Sequence, residues 1–269
     1  MSKTIGVLGC GWLGQPLAQS LVLKGHQVKG STTSTDKFKV LENLGISPYH
    51  IKLTEEKVEG NITSFLQELE VLIVNIPPGL RKTGNGSFIK RIEMLLRHVE
   101  DSKIDNVLFV SSTSVYGAVE GDITEETNPN PITNSGKQLA QIEKLLLANK
   151  RFDTTIIRFG GLIGPNRHPI NHLAGRTGLT NGCELINLIH LDDCILMIET
   201  ILNEAYWGSI FNGVYPYHPT KKDYYTREAE KRGLDAPQFI KTEQTIFKKT
   251  IKSHLFYVKS HQLLTTIVS

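Results

Sequence analysis

Apolar and polar positions follow two different periods along this chain. Short apolar runs rich in β-branched residues are typical of buried strands, and apolar residues recurring every three or four positions are typical of amphipathic helices. The runs predict strands at 3–9, 26–32, 71–76, 106–112, 154–159 and 209–214. The helical spacing predicts helices at 12–25, 87–100, 136–149, 193–202 and 220–233.

This alternation of strand and helix predicts an α/β fold, a Rossmann-type doubly wound parallel sheet with helices on both faces. The pattern changes after Gly164, because 165–187 is rich in Gly, Asn, His and Pro and indicates loops. We therefore expect a dinucleotide-binding core at 1–164. A small C-terminal substrate lobe at 165–269 is expected to be interleaved with the last sheet strands at 210–214.

Composition narrows the class of protein. The chain has 269 residues, a hydrophobic fraction of 39%, a charged fraction of 21% and a net charge of +3. That charge is too small and dispersed to indicate nucleic acid, and no apolar run reaches the roughly 18 residues that span a bilayer. Three cysteines without metal-ligand spacing indicate a reducing compartment and no metal site. We expect a cytoplasmic protein.

A glycine-rich stretch follows the first predicted strand. Gly9, Gly11 and Gly14 form a GxGxxG pattern between that strand and a helix, which is the context in which the pattern indicates dinucleotide binding. The glycines permit a tight turn, a close approach to a diphosphate and close helix packing. Trp12 and Leu13 complete the loop and are expected to contact the cofactor. The alternative is a tight strand–helix turn without a ligand.

The end of the second predicted strand indicates which dinucleotide binds. A carboxylate there usually binds the adenosine ribose, and this chain has no acidic residue at the tip of the strand, where it runs into TTSTDK. Thr32, Thr33, Ser34 and Lys37 instead offer hydroxyls and a positive charge, which suit a 2′-phosphate. We therefore expect NADP, with NAD possible. The alternative is that Thr32 and Thr33 only cap the next helix.

The stretch TNSGK, residues 133–137, begins the third predicted helix. Asn134 or Ser135 can cap it, since both side chains accept hydrogen bonds from free amides. Lys137, one turn into this helix, is either a solvated surface charge or part of an active site.

Several stretches, in the same order along the chain, resemble the extended short-chain dehydrogenase/reductase family. VSSTSVYG is similar to its central strand, PITNSGKQLAQIEK to its Tyr-x-x-x-Lys helix, IIRFGGLIGP to the following strand, and NLIHLDDC and FNGV to later segments. The resemblance covers most of 3–232. It points to an atypical branch, since the family usually has G-x-x-G-x-x-G.

The resemblance implies roles for individual residues. Lys137 matches the lysine that binds the nicotinamide ribose, and Ser112 the residue that hydrogen-bonds the substrate oxygen. The catalytic tyrosine is expected at 133, where this chain has Thr133, a poor proton donor or base. Asn75, Ile76 and Pro77 begin the stretch NIPPG, which replaces the family's usual Asn-Ala-Gly-like loop and is expected to contact the cofactor.

Other side chains are candidates for the missing acid and for substrate binding. Tyr116 lies close to Ser112 in sequence, and His168 titrates near neutral pH. Arg167 and Arg176 are candidates for clamping an anionic substrate.

These observations favour an NAD(P)-binding oxidoreductase or epimerase/dehydratase-like protein acting on an unknown small molecule. The alternative is a catalytically inactive NADP-binding sensor or regulatory protein, which loss of the tyrosine would suit. The polar residues of the helix at 136–149 neither establish nor exclude a contact between two copies, so we expect either a monomer or a homodimer.

Overall fold

Strands and helices alternate along most of the chain. The structure, a computed structural model, describes residues 2–79, 86–117, 119–240 and 249–267. The strands of these ranges are β1 (Thr4–Leu8), β2 (Gln27–Thr32), β3 (Ser47–His50), β4 (Lys52–Leu53), β5 (Val58–Glu59), β6 (Val71–Val74), β7 (Asn106–Ser112), β8 (Gly121–Ile123), β9 (Asp153–Phe159), β10 (Gly161–Ile163), β11 (Leu188–His190), β12 (Ile210–Gly213) and β13 (Lys249–Ile251). The helices are α1 (Gly14–Leu23), α2 (Phe38–Asn43), α3 (Ile62–Leu66), α4 (Phe88–Glu100), α5 (Asn134–Ala148), α6 (Ile170–Leu173), α7 (Leu191–Asn203), α8 (Lys221–Lys231) and α9 (His254–Val258).

Seven parallel strands form the central sheet in the order β12-β9-β7-β6-β1-β2-β3. The chain starts in the interior at β1, proceeds to one edge through β2 and β3, and returns beside β1 with β6. The predicted doubly wound parallel sheet is confirmed. Its strand order reverses at β1, which opens a crevice at the carboxyl ends of β1 and β6.

Helices cover both faces of the sheet, as the long apolar runs of its strands require. Apolar residues of α3, α4 and α5 form the core on one face, and those of α1, α2 and α7 the core on the other. Strand β3 was not predicted, because it is short, half-buried and contains Pro48. None of the helices in the described ranges has the length and apolar composition that a membrane span requires.

The segment after β9 builds a small third core. Strands β10 and β11 pair in parallel beside α6 and α8, and this core contains Ile170, Leu188, Tyr224 and Ile267. The chain also returns to the central sheet, since β12 pairs with β9. The predicted division at residue 164 stays a prediction, and 241–248 and 268–269 of the predicted lobe lie outside the described residues.

Helix α5 begins one residue earlier than its predicted caps allow. Thr133 is the N-cap: its backbone is extended, and its side chain accepts a hydrogen bond from Gly136 N at 3.1 Å. The expectation that Asn134 or Ser135 caps this helix was therefore wrong. Both already lie inside the helix, where their own backbone is helical.

A buried ion pair joins α5 to the sheet. Arg158 of β9 donates to both carboxylate oxygens of Glu143 at 2.7–3.2 Å, and both side chains are at most 4% exposed. Arg158 also donates to the Tyr116 hydroxyl at 2.8 Å, and Ser111 donates to Glu143 at 2.5 Å. Every charged atom of the pair thus has a partner, which a buried ion pair needs.

We predict that Glu143→Ala lowers the free energy of unfolding by about 3 kcal/mol or more, because the mutation leaves Arg158 buried without its counter-ion. Urea denaturation measures this loss. Glu143→Gln keeps one acceptor oxygen and the volume of the side chain, and is expected to lose less. Glu59→Ala, which removes the exposed pair with Lys52, is the control and is expected to cost about 1 kcal/mol or less. Equal losses for Glu143→Ala and Glu59→Ala would contradict the prediction.

Candidate functional site

A cleft of about 410 Å³ lies at the carboxyl ends of the central strands. It opens where the strand order reverses at β1, the position at which open parallel sheets bind their ligands. Its lining residues are Gly11, Trp12, Leu13, Asn75, Ile76, Pro77, Pro78, Val110, Ser111, Ser112, Leu139, Phe159, Gly160, Gly161, Leu162 and Arg167.

The three glycines of the loop after β1 have different surroundings. Gly9 has φ +109°, and a Cβ there would collide with the Asn75 carbonyl. A Cβ at Gly14 would collide with the Gly9 carbonyl, whereas a Cβ at Gly11 would meet no heavy atom within 4 Å. Gly9 and Gly14 therefore shape the turn. Gly11 leaves space for a ligand beside the loop, while its own N–H donates to the Gly9 carbonyl at 2.9 Å.

The amino end of α1 faces the same region. Its N-cap, Leu13, makes no side-chain cap hydrogen bond, and its first turn carries no acidic residue. The positive end of the helix dipole and the Gly14 N–H can then attract an anion, whereas Gln15 N donates to the Gly11 carbonyl and Pro16 has no N–H. Together with the open side of Gly11, this arrangement fits the diphosphate of a dinucleotide.

The hydroxyls at the end of β2 are largely committed to the fold. Ser31 Oγ accepts from Gly9 N at 2.9 Å, which fastens the glycine loop to β2. Thr32 Oγ1 accepts from Ser34 N at 3.1 Å, and both Ser31 and Thr32 are buried. The short 3-10 turn that follows has no side-chain cap, so Thr32 does not serve as one.

The exposed groups beyond β2 are those predicted for a 2′-phosphate. Thr33 and Lys37 are exposed and Ser34 is half-buried. Lys37 is close enough to the glycine loop to act on Cys10: burial raises the pKa of the Cys10 thiol to about 12, and the Lys37 charge opposes that rise. The loop is therefore bordered by a cation on this side.

The loop after β6 closes the next wall of the cleft. Asn75 Nδ2 donates to the Gly9 carbonyl at 3.1 Å, so the two loops are joined directly. Arg91 of α4 donates to the carbonyl of Pro78, which holds the far end of the loop. The loop residues in the lining are Asn75, Ile76, Pro77 and Pro78.

Two serines end β7 at the floor of the cleft. The hydroxyl hydrogen of Ser111 is used on Glu143. Ser112 Oγ accepts from Ser114 N at 3.2 Å, so its own hydrogen remains available for a ligand oxygen in the cleft. Ser112 therefore lies where the sequence predicts a substrate-binding hydroxyl.

Helix α5 presents Leu139, and not Lys137, to the cleft. Lys137 is exposed and lines a separate surface hollow with Lys144, and Thr133 Oγ1 is used as the helix cap. Ser135 lies one turn before Leu139 on the same face. The structure thus does not bring Lys137 or Thr133 into the cleft, because the helix is rotated so that Leu139 is its residue in the lining.

Neither alternative acid is free to act in the cleft. Tyr116 is fully buried, its hydroxyl lies 2.8 Å from Asn212 Oδ1, and burial raises its pKa. His168 is also buried: its Nε2 lies 3.1 Å from the Tyr224 hydroxyl, and burial lowers its pKa to about 4. Both side chains support packing and not proton transfer to a ligand.

The two candidate arginines differ. Both are exposed, but only Arg167 lines the cleft, with its guanidinium over the ring of Trp12, and Arg176 lies outside the lining. Sequence reasoning did not predict Leu139 or the wall formed by 159–162 after β9. The carboxyl end of β9 could have indicated that wall, because the carboxyl ends of parallel strands meet at one edge of a sheet.

The fold and the cleft define a dinucleotide-binding α/β protein. The chain belongs to the NAD dependent epimerase/dehydratase family, whose model matches residues 5–205. It is 35% identical over 238 residues to protein YeeZ of Escherichia coli (strain K12), covering 88% of this chain and 86% of YeeZ. Family membership gives the chain an NAD(P)-binding, epimerase-like function.

More distant proteins share the architecture. The uncharacterized UDP-glucose epimerase YtcB of Bacillus subtilis (strain 168) is 25% identical over 224 residues, 73% of this chain and 71% of YtcB. The UDP-glucuronic acid 4-epimerase of Bacillus cereus, solved with UDP-glucuronic acid and NAD, matches at a TM-score of 0.79 and 19% identity. That match covers 98% of this chain and 95% of the epimerase, and at this identity it shows the fold alone.

We predict that Gly11→Ala weakens NADPH binding about tenfold or more while leaving the fold intact, because the added methyl contacts no protein atom and lies where the diphosphate approaches. Fluorescence titration measures the dissociation constant (Kd), and urea denaturation the stability. Gly14→Ala is the contrasting variant, since it overpacks the turn and is expected to cost about 1–3 kcal/mol. Unchanged NADPH binding by a folded Gly11→Ala protein would place the diphosphate elsewhere.

Proposed function

We propose that the chain binds NADP(H) in this cleft and acts on a small molecule as an oxidoreductase or epimerase-like enzyme. The observation that carries the proposal is the open side of Gly11, at the carboxyl end of β1 and beside the uncapped start of α1. A bound nicotinamide ring would accept or donate a hydride. Titration of the protein with NADPH and NADH, followed by nicotinamide fluorescence, tests the binding; no binding of either refutes it.

The residues proposed to hold the cofactor form one continuous wall. The loop formed by Gly11, Trp12 and Leu13 would receive the diphosphate, with Gly9 and Gly14 shaping the turn. The loop from Asn75 to Pro77 would support the dinucleotide along its next section, since Asn75 holds that loop against the glycine loop. No residue of this wall, among those described, brings a negative charge to the phosphates.

Ser112 is the proposed contact for the substrate oxygen. Its oxygen already accepts a backbone N–H, so its hydroxyl hydrogen can be donated to a ligand. A hydrogen bond to a carbonyl or hydroxyl oxygen would orient the reacting carbon and stabilise negative charge that develops on that oxygen.

NADP is proposed over NAD because of the groups beyond β2. Thr33, Ser34 and Lys37 are at least partly accessible there, and the strand tip itself carries no carboxylate. A lysine and hydroxyls bind a phosphate through charge-assisted hydrogen bonds.

We predict that Lys37→Ala weakens NADPH binding roughly tenfold and leaves NADH binding unchanged, since only NADPH carries the 2′-phosphate. Lys39→Ala, which removes a second exposed lysine two residues on, is the matched control and is expected to change neither. The two Kd values of each variant are measured by fluorescence titration. A parallel loss of NADH affinity in Lys37→Ala would refute the role in choosing NADP.

The role of Lys137 that the family resemblance implies remains a prediction, and the geometry favours its absence from the cofactor site. We predict that Lys137→Ala keeps the Kd for NADPH within about twofold of the wild type, because Lys137 is exposed outside the cleft. Lys144→Ala, in the same hollow, is the control. If Lys137→Ala alone weakens binding tenfold, the lysine reaches the ribose and the rotation of α5 inferred here is wrong.

A second candidate function is NADP binding without turnover. Among the described residues, the only ionisable side chain in the cleft lining is Arg167, which stays protonated at neutral pH. No described lining group therefore exchanges a proton near neutrality.

Incubation with NADPH or NADP and with UDP-glucose or UDP-glucuronic acid, the ligands named for structural neighbours, tests for sugar interconversion and for nicotinamide oxidation. Binding with no conversion of these compounds would favour the second candidate.

A further inference from the structure

Arg167 is held over the glycine loop by its own backbone. It closes a four-residue turn after β10, in which Gly164 N donates to the Arg167 carbonyl at 2.9 Å and Arg167 N donates to the Gly164 carbonyl at 3.0 Å. Asn166, inside the turn, has φ +56°, a left-handed conformation that asparagine tolerates. Two reciprocal hydrogen bonds leave the backbone of this turn little freedom, so they fix where the exposed Arg167 side chain begins.

Trp12 connects this turn to the glycine loop. Its indole Nε1 donates to the Pro165 carbonyl at 2.9 Å, and its ring packs so closely on Gly164 that a Cβ there would lie 3.1 Å from Cζ2. The guanidinium carbon of Arg167 lies 4.8 Å from the centre of the Trp12 ring. We call Trp12 and Arg167 together the clasp.

Arg167 forms no ion pair with any acidic side chain of the described residues. Arg158 and Arg232 pair with Glu143 and Glu228, but no described acidic side chain lies within 4 Å of the Arg167 guanidinium. Stacking on an aromatic ring occupies the face of a guanidinium and leaves its N–H edge for a bidentate acceptor. Arg167 lines the cleft, so its N–H groups are accessible to a ligand there.

The surroundings of the clasp favour an anion over any other ligand. Trp12 and Leu13 precede α1, whose uncapped first turn adds positive potential at the same end of the cleft. The described lining contains no carboxylate that would compete for the guanidinium. A phosphate or carboxylate has the paired oxygens that match its fork.

We propose that the clasp of Trp12 and Arg167 is a subsite for a phosphate or carboxylate group in the cleft. Two sources share this chemistry: the diphosphate of the cofactor and an acidic group of the substrate. Both sources, but not the existence of the subsite, rest on the function proposed above.

Inorganic pyrophosphate is the probe for the subsite itself. The chain has two tryptophans, so in a Trp207→Phe background the emission of Trp12 reports an anion that pairs with the guanidinium stacked on it. Calorimetric titration at constant ionic strength gives the same Kd without relying on emission. Arg167→Gln is expected to raise the Kd roughly ten- to hundredfold. The Kd of Arg167→Lys is expected to lie between those of the wild type and Arg167→Gln, because lysine keeps the charge but cannot form a bidentate hydrogen bond. Arg97→Gln, at an exposed arginine of α4, is the matched control.

Pyrophosphate that binds Arg167→Gln as tightly as the wild type, or does not bind the wild type at all, overturns the proposal. Circular dichroism confirms that each variant is folded. Because this arm uses the cofactor-free protein, it decides the proposal even if NADPH binds no form of the chain, an outcome that would refute only the proposed function.

NADPH titration of the same variants identifies the source of the anion. If Arg167→Gln weakens NADPH by a similar factor, the clasp holds the cofactor diphosphate. If the NADPH affinity is unchanged, and pyrophosphate still binds the NADP-saturated wild type but not NADP-saturated Arg167→Gln, the clasp holds an acidic group of the substrate.

Discussion

The buried pair of Arg158 and Glu143 determines how the site is built. Arg158 lies in one row of the sheet between Ser111 of β7 and Asn212 of β12, and Glu143 reaches that row from α5. A buried carboxylate and guanidinium are costly unless every oxygen and N–H finds a partner, so few arrangements of these elements are allowed. Asn212 extends the network, because its amide donates to the Lys252 carbonyl in the segment after β13. One polar cluster therefore ties β7, β9, β12, α5 and the C-terminal part of the chain together.

The rotation of α5 follows from that pair. With Glu143 directed at the sheet, the residues one and two turns earlier on the same face are Leu139 and Ser135. Lys137 and Thr133 then fall on other sides of the helix, where Lys137 is exposed and Thr133 caps the first turn. Thr133 and Lys137 have the spacing of the family's Tyr-x-x-x-Lys pair, but neither side chain lines the cleft. Sequence spacing alone cannot reveal this, since the rotation of a helix is decided by a contact made two turns further along it.

Local signals explain what could be predicted from the sequence. Six of the seven sheet strands, the major helices and the glycine loop depend on period, composition and turn residues within a few positions. The short half-buried β3 lacks such a signal. The start of α5 was missed because Thr133, Asn134 and Ser135 are all good caps, and the backbone chooses among them. The clasp was beyond any local pattern, because Trp12 and the turn that holds Arg167 meet across 153 residues of sequence.

The polarity of the cleft limits the chemistry that it can support. Ser112 can donate one hydrogen bond to a ligand, whereas the Ser111 hydroxyl already donates to Glu143. Glu143 cannot act as a base for a ligand, because both of its oxygens are engaged by a buried arginine. Leu139 adds an aliphatic surface to the lining, which can supply neither a proton nor a charge. The described walls can thus orient an oxygen and bind an anion without taking a proton. A reaction here would need its proton from water or from the substrate. General acid–base catalysis typically contributes about 10²–10⁴-fold in rate. Without that contribution, such an enzyme would be slow unless its substrate is already activated.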